Sequence, residues 1–189
     1  MRTHLIFALL IVLPVARGNR QTPPQTEQTK LFILRDVNVR QWCIYASESQ
    51  WKLDVNSLGA TTVASLKFAT GHLQAVDLTH QDEAGDWIVY DHYELGQTGD
   101  LRRDQREIRI LPGDRLVEEI YLIRDGVVDK QNSSTKSLST GQKLTNGEDW
   151  LPDVPVVSRL KDFPFAPLLD VDRSRILAKG KICSLAKEP

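Results

Sequence analysis

Four glycine-bearing turns, spaced almost evenly through the middle of the chain, constrain the fold more than any other feature. They are Asp82-Glu83-Ala84-Gly85-Asp86, Gly96-Gln97-Thr98-Gly99-Asp100, Pro112-Gly113-Asp114 and Arg124-Asp125-Gly126. Each sets Gly, which reaches positive φ without a Cβ clash, beside Asp or Pro, which favour turns. The turn centres lie about 12 to 15 residues apart, so the segments between them suit strands joined by short hairpin loops. Leu73 to Lys130 is therefore expected to be a β-meander of about five strands. Between the turns apolar residues alternate. Trp87, Val89, Tyr93 and Leu95 share one parity, as do Ile108 and Ile110, and Leu116, Ile120 and Leu122. A period of two gives one packed and one wet face, and the three-to-four spacing of an amphipathic helix is missing.

The favoured parity changes between strands, and several strands carry apolar residues on both faces. Curling, a bulge or cover by another segment produces that pattern. Long twisted antiparallel strands also tend to close, because open edges invite unwanted pairing. The fold expected is mainly β: an antiparallel meander curled into a barrel or half-barrel. Leu151 to Leu169 carries Pro152, Pro155, Pro164 and Pro167, which exclude a regular helix and predict an extended, Pro-rich C-terminal arm packed on the sheet.

Upstream of the meander, Lys30–Val39 reads as a strand or short helix, and Gln41–Tyr45, Gln50–Val55 and Thr62–Thr70 read as strands. Asn56 to Gly59 is a turn. Gln131–Ser139 continues the last strand, and Val171–Leu185 adds a final strand or helix.

Residues 1–18 (MRTHLIFALLIVLPVARG) have a short basic start, an apolar run from Leu5 to Val15 broken only by Pro14, and small residues before a cleavage point after Gly18. This fits a secretory signal peptide, and the run is too short for a membrane-spanning helix. Residues 19–29 are polar with Pro23-Pro24 and read as a disordered linker. Residues 30–189 are then a single β-rich domain, with no membrane span in the mature chain. A secreted or periplasmic location follows, which gives the two cysteines a meaning. Cys43 and Cys183 are expected to form a disulfide tying an early strand to the C-terminus.

Lys and Arg number 24 against 25 Asp and Glu, interspersed, for a net charge of −1. No field points to nucleic acid or an anionic membrane. Arg102, Arg103, Arg106 and Arg109 are balanced by Asp100, Asp104 and Glu107, as in a salt-bridged wet face.

No metal spacing or nucleotide loop is present, and no cofactor is expected. His80 and His92 would stand about 13 Å apart across the first hairpin, too far for one metal. If the next hairpin is centred on Thr98, His92 lies opposite Asp104, a pairing a general base uses. A slip of one residue would bring Arg103 or Gln105 there instead. No G-x-S-x-G nucleophile accompanies the pair. Trp87, Tyr90, Tyr93 and Tyr121 are the aromatic candidates to line a ligand cavity. Asn132-Ser133-Ser134 matches an N-glycan acceptor, relevant in a eukaryotic secretory pathway. The function expected is non-enzymatic: an exported protein that binds an apolar small molecule or lipid, or a partner protein. A secreted hydrolase using His92 with nearby carboxylates, or a structural envelope component, is the alternative.

Overall fold

A computed structural model describes residues 28–36, 41–145 and 150–185. The expected leader, and the expected linker up to residue 27, lie outside the described residues. The chain forms β1 (Gln28–Asp36), β2 (Gln41–Tyr45), α1 (Glu48–Leu58), β3 (Thr62–Ala69), β4 (His72–Gln81), β5 (Trp87–Leu95), β6 (Leu101–Ile110), β7 (Arg115–Arg124) and β8 (Val127–Ser137). A 3-10 turn at Leu160–Asp162, α2 (Ala166–Leu169), α3 (Arg173–Lys179) and β9 (Lys181–Leu185) follow. The meander is β4 to β8, and each of the four turns separates consecutive strands as expected.

All nine strands belong to one antiparallel sheet, in the order β8-β7-β6-β5-β4-β3-β1-β2-β9. The sheet does not close. β8 and β9 are its two ends, so the expected barrel or half-barrel is corrected to an open sheet. The changes of parity that suggested closure arise from β-bulges in the meander. The free edges are managed locally. β8 carries a register shift that leaves Gln131 unpaired, and Leu144 and Gln142 bond back onto Thr135 and Ser137. At the other end β9 is short and fastened to β2 by the Cys43–Cys183 disulfide, formed between residues directly opposite in the ladder.

Three bulges have a common consequence. In β3–β4 the register shifts so that Gln74 is extra, in β5–β6 Arg102, and in β7–β8 Gln131. Each sits toward the same end of the sheet, beside the turns at Thr70-Gly71, 96–100 and Asp125-Gly126. An extra residue flips which parity points inward. Leu73 thereby faces the same side as Val76, and Leu101 the same side as Asp104. Lys130 likewise comes to lie beside Tyr121 on the inner face.

That face is covered by the C-terminal segment. Its apolar core joins Leu31, Ile33, Trp42, Ile44, Leu66, Val76 and Tyr93 to Phe163, Phe165, Leu168 and Ile176. Phe163 meets Tyr93 edge-on at 5.2 Å and stacks on Phe165 at 5.0 Å. A second inner cluster, Val89, Ile108, Ile110 and Val117, packs with Trp87, Leu151 and Val154.

On the opposite face α1 covers β1 and β2. Gln50–Val55, read above as a strand, is helical. Trp51, Leu53 and Val55 alternate like strand residues, but Trp51, Val55 and Leu58 also repeat at helical spacing and pack on Phe32, Leu34, Cys43 and Tyr45. Ser47 caps the helix start and Gly59, at φ +59°, ends it in the left-handed region. Across β4 to β8 none of the described residues forms a layer over this outer face. There the expected packing of β7 is also corrected: Val117, Tyr121 and Ile123 point inward together with Glu119, while Leu116, Ile120 and Leu122 lie on the outer side.

Candidate functional site

The β3–β4 bulge sets Phe68 and Leu73 directly opposite each other on the inner face, at the rim of the core. The C-terminal segment passes beside them and contributes Leu160, Pro164, Pro167 and Leu169. Between these surfaces lies an apolar groove of about 940 Å³. A second cavity of about 360 Å³ meets it at Phe68 and Leu169 and runs back between Leu31, Leu66, Val171 and Ile176. Phe68, Leu73, Leu160 and Leu169 are each half-buried, so they form a wall rather than a filled core. Charges of both signs edge the groove: Lys161, Asp162 and Asp170 on one cavity, and Arg173, its guanidinium 5.5 Å above the Phe68 ring, on the other.

Next to this groove, between the two inner apolar clusters, lies a layer of buried charge. Asp91, Arg106 and Glu119 occupy facing positions on β5, β6 and β7, and Tyr93, Asp104 and Tyr121 form the adjoining row. Asp104 is 0% exposed, Asp91 2%, Glu119 3% and Arg106 6%. Arg106 grips Asp91 through two bonds, Nε to Oδ1 at 2.6 Å and Nη2 to Oδ2 at 3.1 Å. Its Nη1 donates to the Val154 carbonyl at 2.6 Å, which ties the C-terminal segment to the sheet. A second tie is the Val157 amide, donating to the Tyr93 hydroxyl at 3.0 Å. Glu119 accepts from Lys130 Nζ at 2.6 Å and from the Tyr121 hydroxyl at 2.5 Å.

Among the described residues no side chain forms an ion pair with Asp104, and both of its carboxylate oxygens are buried without a well-formed hydrogen bond. Burial, reinforced by the Asp91 and Glu119 charges and only partly offset by Arg106, pushes its carboxyl up to about 8. The His92 backbone amide favours the anion only weakly. Burial raises Asp91 as well, against the opposing pull of Arg106. His80, on the same face, is pushed down to about 4 by burial and then by the charge of Arg106.

The residues singled out in the sequence do not converge. His92 lies opposite Gln105, and Asp104 lies opposite Tyr93. The extra residue Arg102 moves the register by one, so His92 and Asp104 point to opposite faces. The partner of His92 is Asp77 on β4, Nδ1 to Oδ1 at 2.6 Å. Asp77 also accepts from Lys67 Nζ at 2.8 Å and Ser65 Oγ at 3.0 Å. Burial opposes ionisation of Asp77, but these bonds win and hold its carboxyl below the usual range. The outer face around them forms a groove of about 590 Å³ that includes Tyr90, Glu107, Glu118, Ile120 and Asn132. Tyr90 lies there beneath the Arg109 guanidinium at 5.0 Å. Tyr93 and Tyr121 belong to the buried layer and Trp87 packs on the second inner cluster, while Tyr90 lies on the outer face, so among the described residues the four aromatic candidates are divided between the two faces. Nothing local in the sequence groups Phe68, Leu73, Leu160 and Leu169, because only a bulge and a distant segment bring them together.

No protein family, curated protein or solved structure matches this chain. Its reading therefore rests on its own geometry.

Proposed function

We propose that this chain is an exported binding protein whose apolar groove takes an aliphatic ligand, such as the acyl chain of a lipid. The observation that carries the reading is the groove itself: about 940 Å³ walled by half-buried Phe68, Leu73, Leu160 and Leu169 together with exposed Pro164, in the size range of small-molecule sites. An aliphatic chain would bury the exposed parts of these side chains at roughly 25 cal/mol per Å² of apolar surface. A disulfide between β2 and β9 accords with an oxidising compartment. Among the described residues no helix is long and apolar enough to cross a membrane.

The test is titration of the purified, oxidised chain with cis-parinaric acid, followed by fluorescence. Saturable binding at micromolar concentration is expected, reduced at least tenfold by Leu169→Asp and by Leu73→Asp. Absence of binding by the folded chain removes the reading.

The alternative, a secreted hydrolase using His92, draws support from the His92–Asp77 pair, since a carboxylate on Nδ1 orients a general base. Against it, the nearby serine, Ser65, donates to Asp77 and not to His92. A structural envelope role would leave the groove without a ligand, which the same titration distinguishes.

A further inference from the structure

Asp104 cannot be understood as an ordinary ion-paired carboxylate. The groups facing it are Asp91 and Tyr93 from β5, Arg106 from its own strand, Glu119 and Tyr121 from β7, and Lys130 from β8. His80 on β4 faces the Arg106 end of the layer. The C-terminal segment presents backbone, the Val154 carbonyl and the Val157 amide, while its Asp153, Arg159, Lys161 and Asp162 are exposed. Arg106 is committed to Asp91, and Lys130 to Glu119. A third carboxylate has no cation left to pair with. A lone buried anion is costly, and the protonated form is the cheaper way to keep it there.

We propose that Asp104 is held as a neutral carboxylic acid beneath the C-terminal segment, and that release of its proton to solvent loosens residues 151–163 and with them one wall of the apolar groove. The wall is that of the binding reading above, on which the effect on ligand rests; the loosening itself does not. The coupling is short and physical. Ionised Asp104 competes for Arg106, whose other bond holds Val154, and stands directly opposite Tyr93, whose hydroxyl holds Val157.

The sign follows from linkage. Docked, the carboxyl protonates near pH 8; with the segment lifted and water admitted, it returns toward about 4. Docking is thus favoured at low pH and progressively lost as pH rises toward 8, then levels off. His80, neutral when buried, pushes the other way between about 4 and 6.5. The net loosening therefore appears between about pH 6.5 and 8.

Limited trypsinolysis of the full oxidised chain tests this. Arg159 and Lys161 are exposed, but their peptide bonds enter a protease cleft only when the surrounding backbone leaves the sheet. Cleavage rates at each pH are divided by those of a free peptide spanning 156–165, which removes the pH dependence of trypsin. The normalised rate should rise about tenfold or more between pH 6.5 and 8, since each pH unit in the window is worth a factor of ten. Asp104→Asn, which keeps the shape and removes the charge, should show no rise. Glu119→Gln, which removes a neighbouring anion, should move the rise to lower pH. A flat wild-type profile, a parallel rise in Asp104→Asn, or an unmoved midpoint in Glu119→Gln overturns the proposal. Cis-parinaric acid separates the two readings. A chain that loosens with pH but never binds the probe has lost the groove reading alone. A chain that binds equally at all pH with flat cleavage has lost this one.

Discussion

Arg106 is the cation on which the buried layer depends. It neutralises Asp91 through a fork of two bonds and holds the Val154 carbonyl with a third. Arg106→Met keeps much of the packing volume but leaves Asp91 buried beside Glu119 with nothing between them. Breaking one half of a buried pair costs about 3 to 5 kcal/mol, which chemical denaturation at pH 7 should show. Arg106→Met combined with Asp91→Leu should recover most of that loss, because it removes the stranded charge together with its partner. If the single variant costs under about 1 kcal/mol, the layer is not electrostatically closed. The same layer shows where reading from sequence fails. Arg106 and Asp104 resemble any polar residues on a wet strand, and nothing local marks the first as inward. His92 and Asp104 were expected to face each other from the turn centred on Thr98. That pairing sum holds for Leu95 and Leu101 and breaks one residue later, where Arg102 is extra. A bulge has no reliable local signature, yet it decides the face of every residue beyond it.

The elements divide along similar lines. β4 to β8 were legible because each hairpin carries its own turn chemistry and short-range pairing needs no other information. α1 was not, because Trp51, Leu53 and Val55 satisfy a period of two as well as a helix does, and only packing on β1 and β2 decides between them. Trp51 therefore carries an unusual share of this element. Its ring stacks on Phe32 at 5.1 Å and its indole N–H donates to the Ile33 carbonyl at 3.1 Å. Trp51→Ala should cost about 3 kcal/mol, read from the urea midpoint, whereas Leu53→Ala, at a position 71% exposed, should cost almost nothing. Equal losses would mean that α1 does not dock by this face. β9 depends on a different constraint, since it adds five residues to an edge and closes a loop of 140 residues through Cys43–Cys183. Replacing both cysteines by Ala should lower stability by up to about 4 to 5 kcal/mol on the chain-entropy account. Hydrogen exchange should show the loss first at Ile182 and Ser184, and exchange spread evenly over the sheet would contradict β9 as a separately fastened strand.

For the whole molecule, groups of opposite sign combine into a stability profile that none of them shows alone. Asp77, and Asp54 of α1, which accepts from Lys181 Nζ at 2.8 Å and from the Tyr45 hydroxyl at 2.9 Å, have depressed carboxyls, so their contribution is present above about pH 4 and lost below it. His80, depressed to about 4, is neutral when folded and must be charged when unfolded below about 6.5; it adds stability as pH rises from 4 to 6.5. Asp104, raised to about 8, does the reverse from 4 to 8. Between 4 and 6.5 these two nearly cancel, and from 6.5 to 8 Asp104 acts against the fold without that opposition. Stability should therefore stand on a plateau between about pH 4 and 6.5 and then fall by on the order of 2 kcal/mol by pH 8, at 1.36 kcal/mol per unit. In Asp104→Asn the descending limb should vanish, and stability should instead rise from pH 4 to 6.5, because the titration of His80 is left uncompensated. Urea titrations at half-unit steps from pH 4 to 9 measure both curves. A wild-type optimum at pH 8 would show that Asp104 is ionised in the folded chain at no cost, and with it that the segment over the sheet is held independently of the proton beneath it.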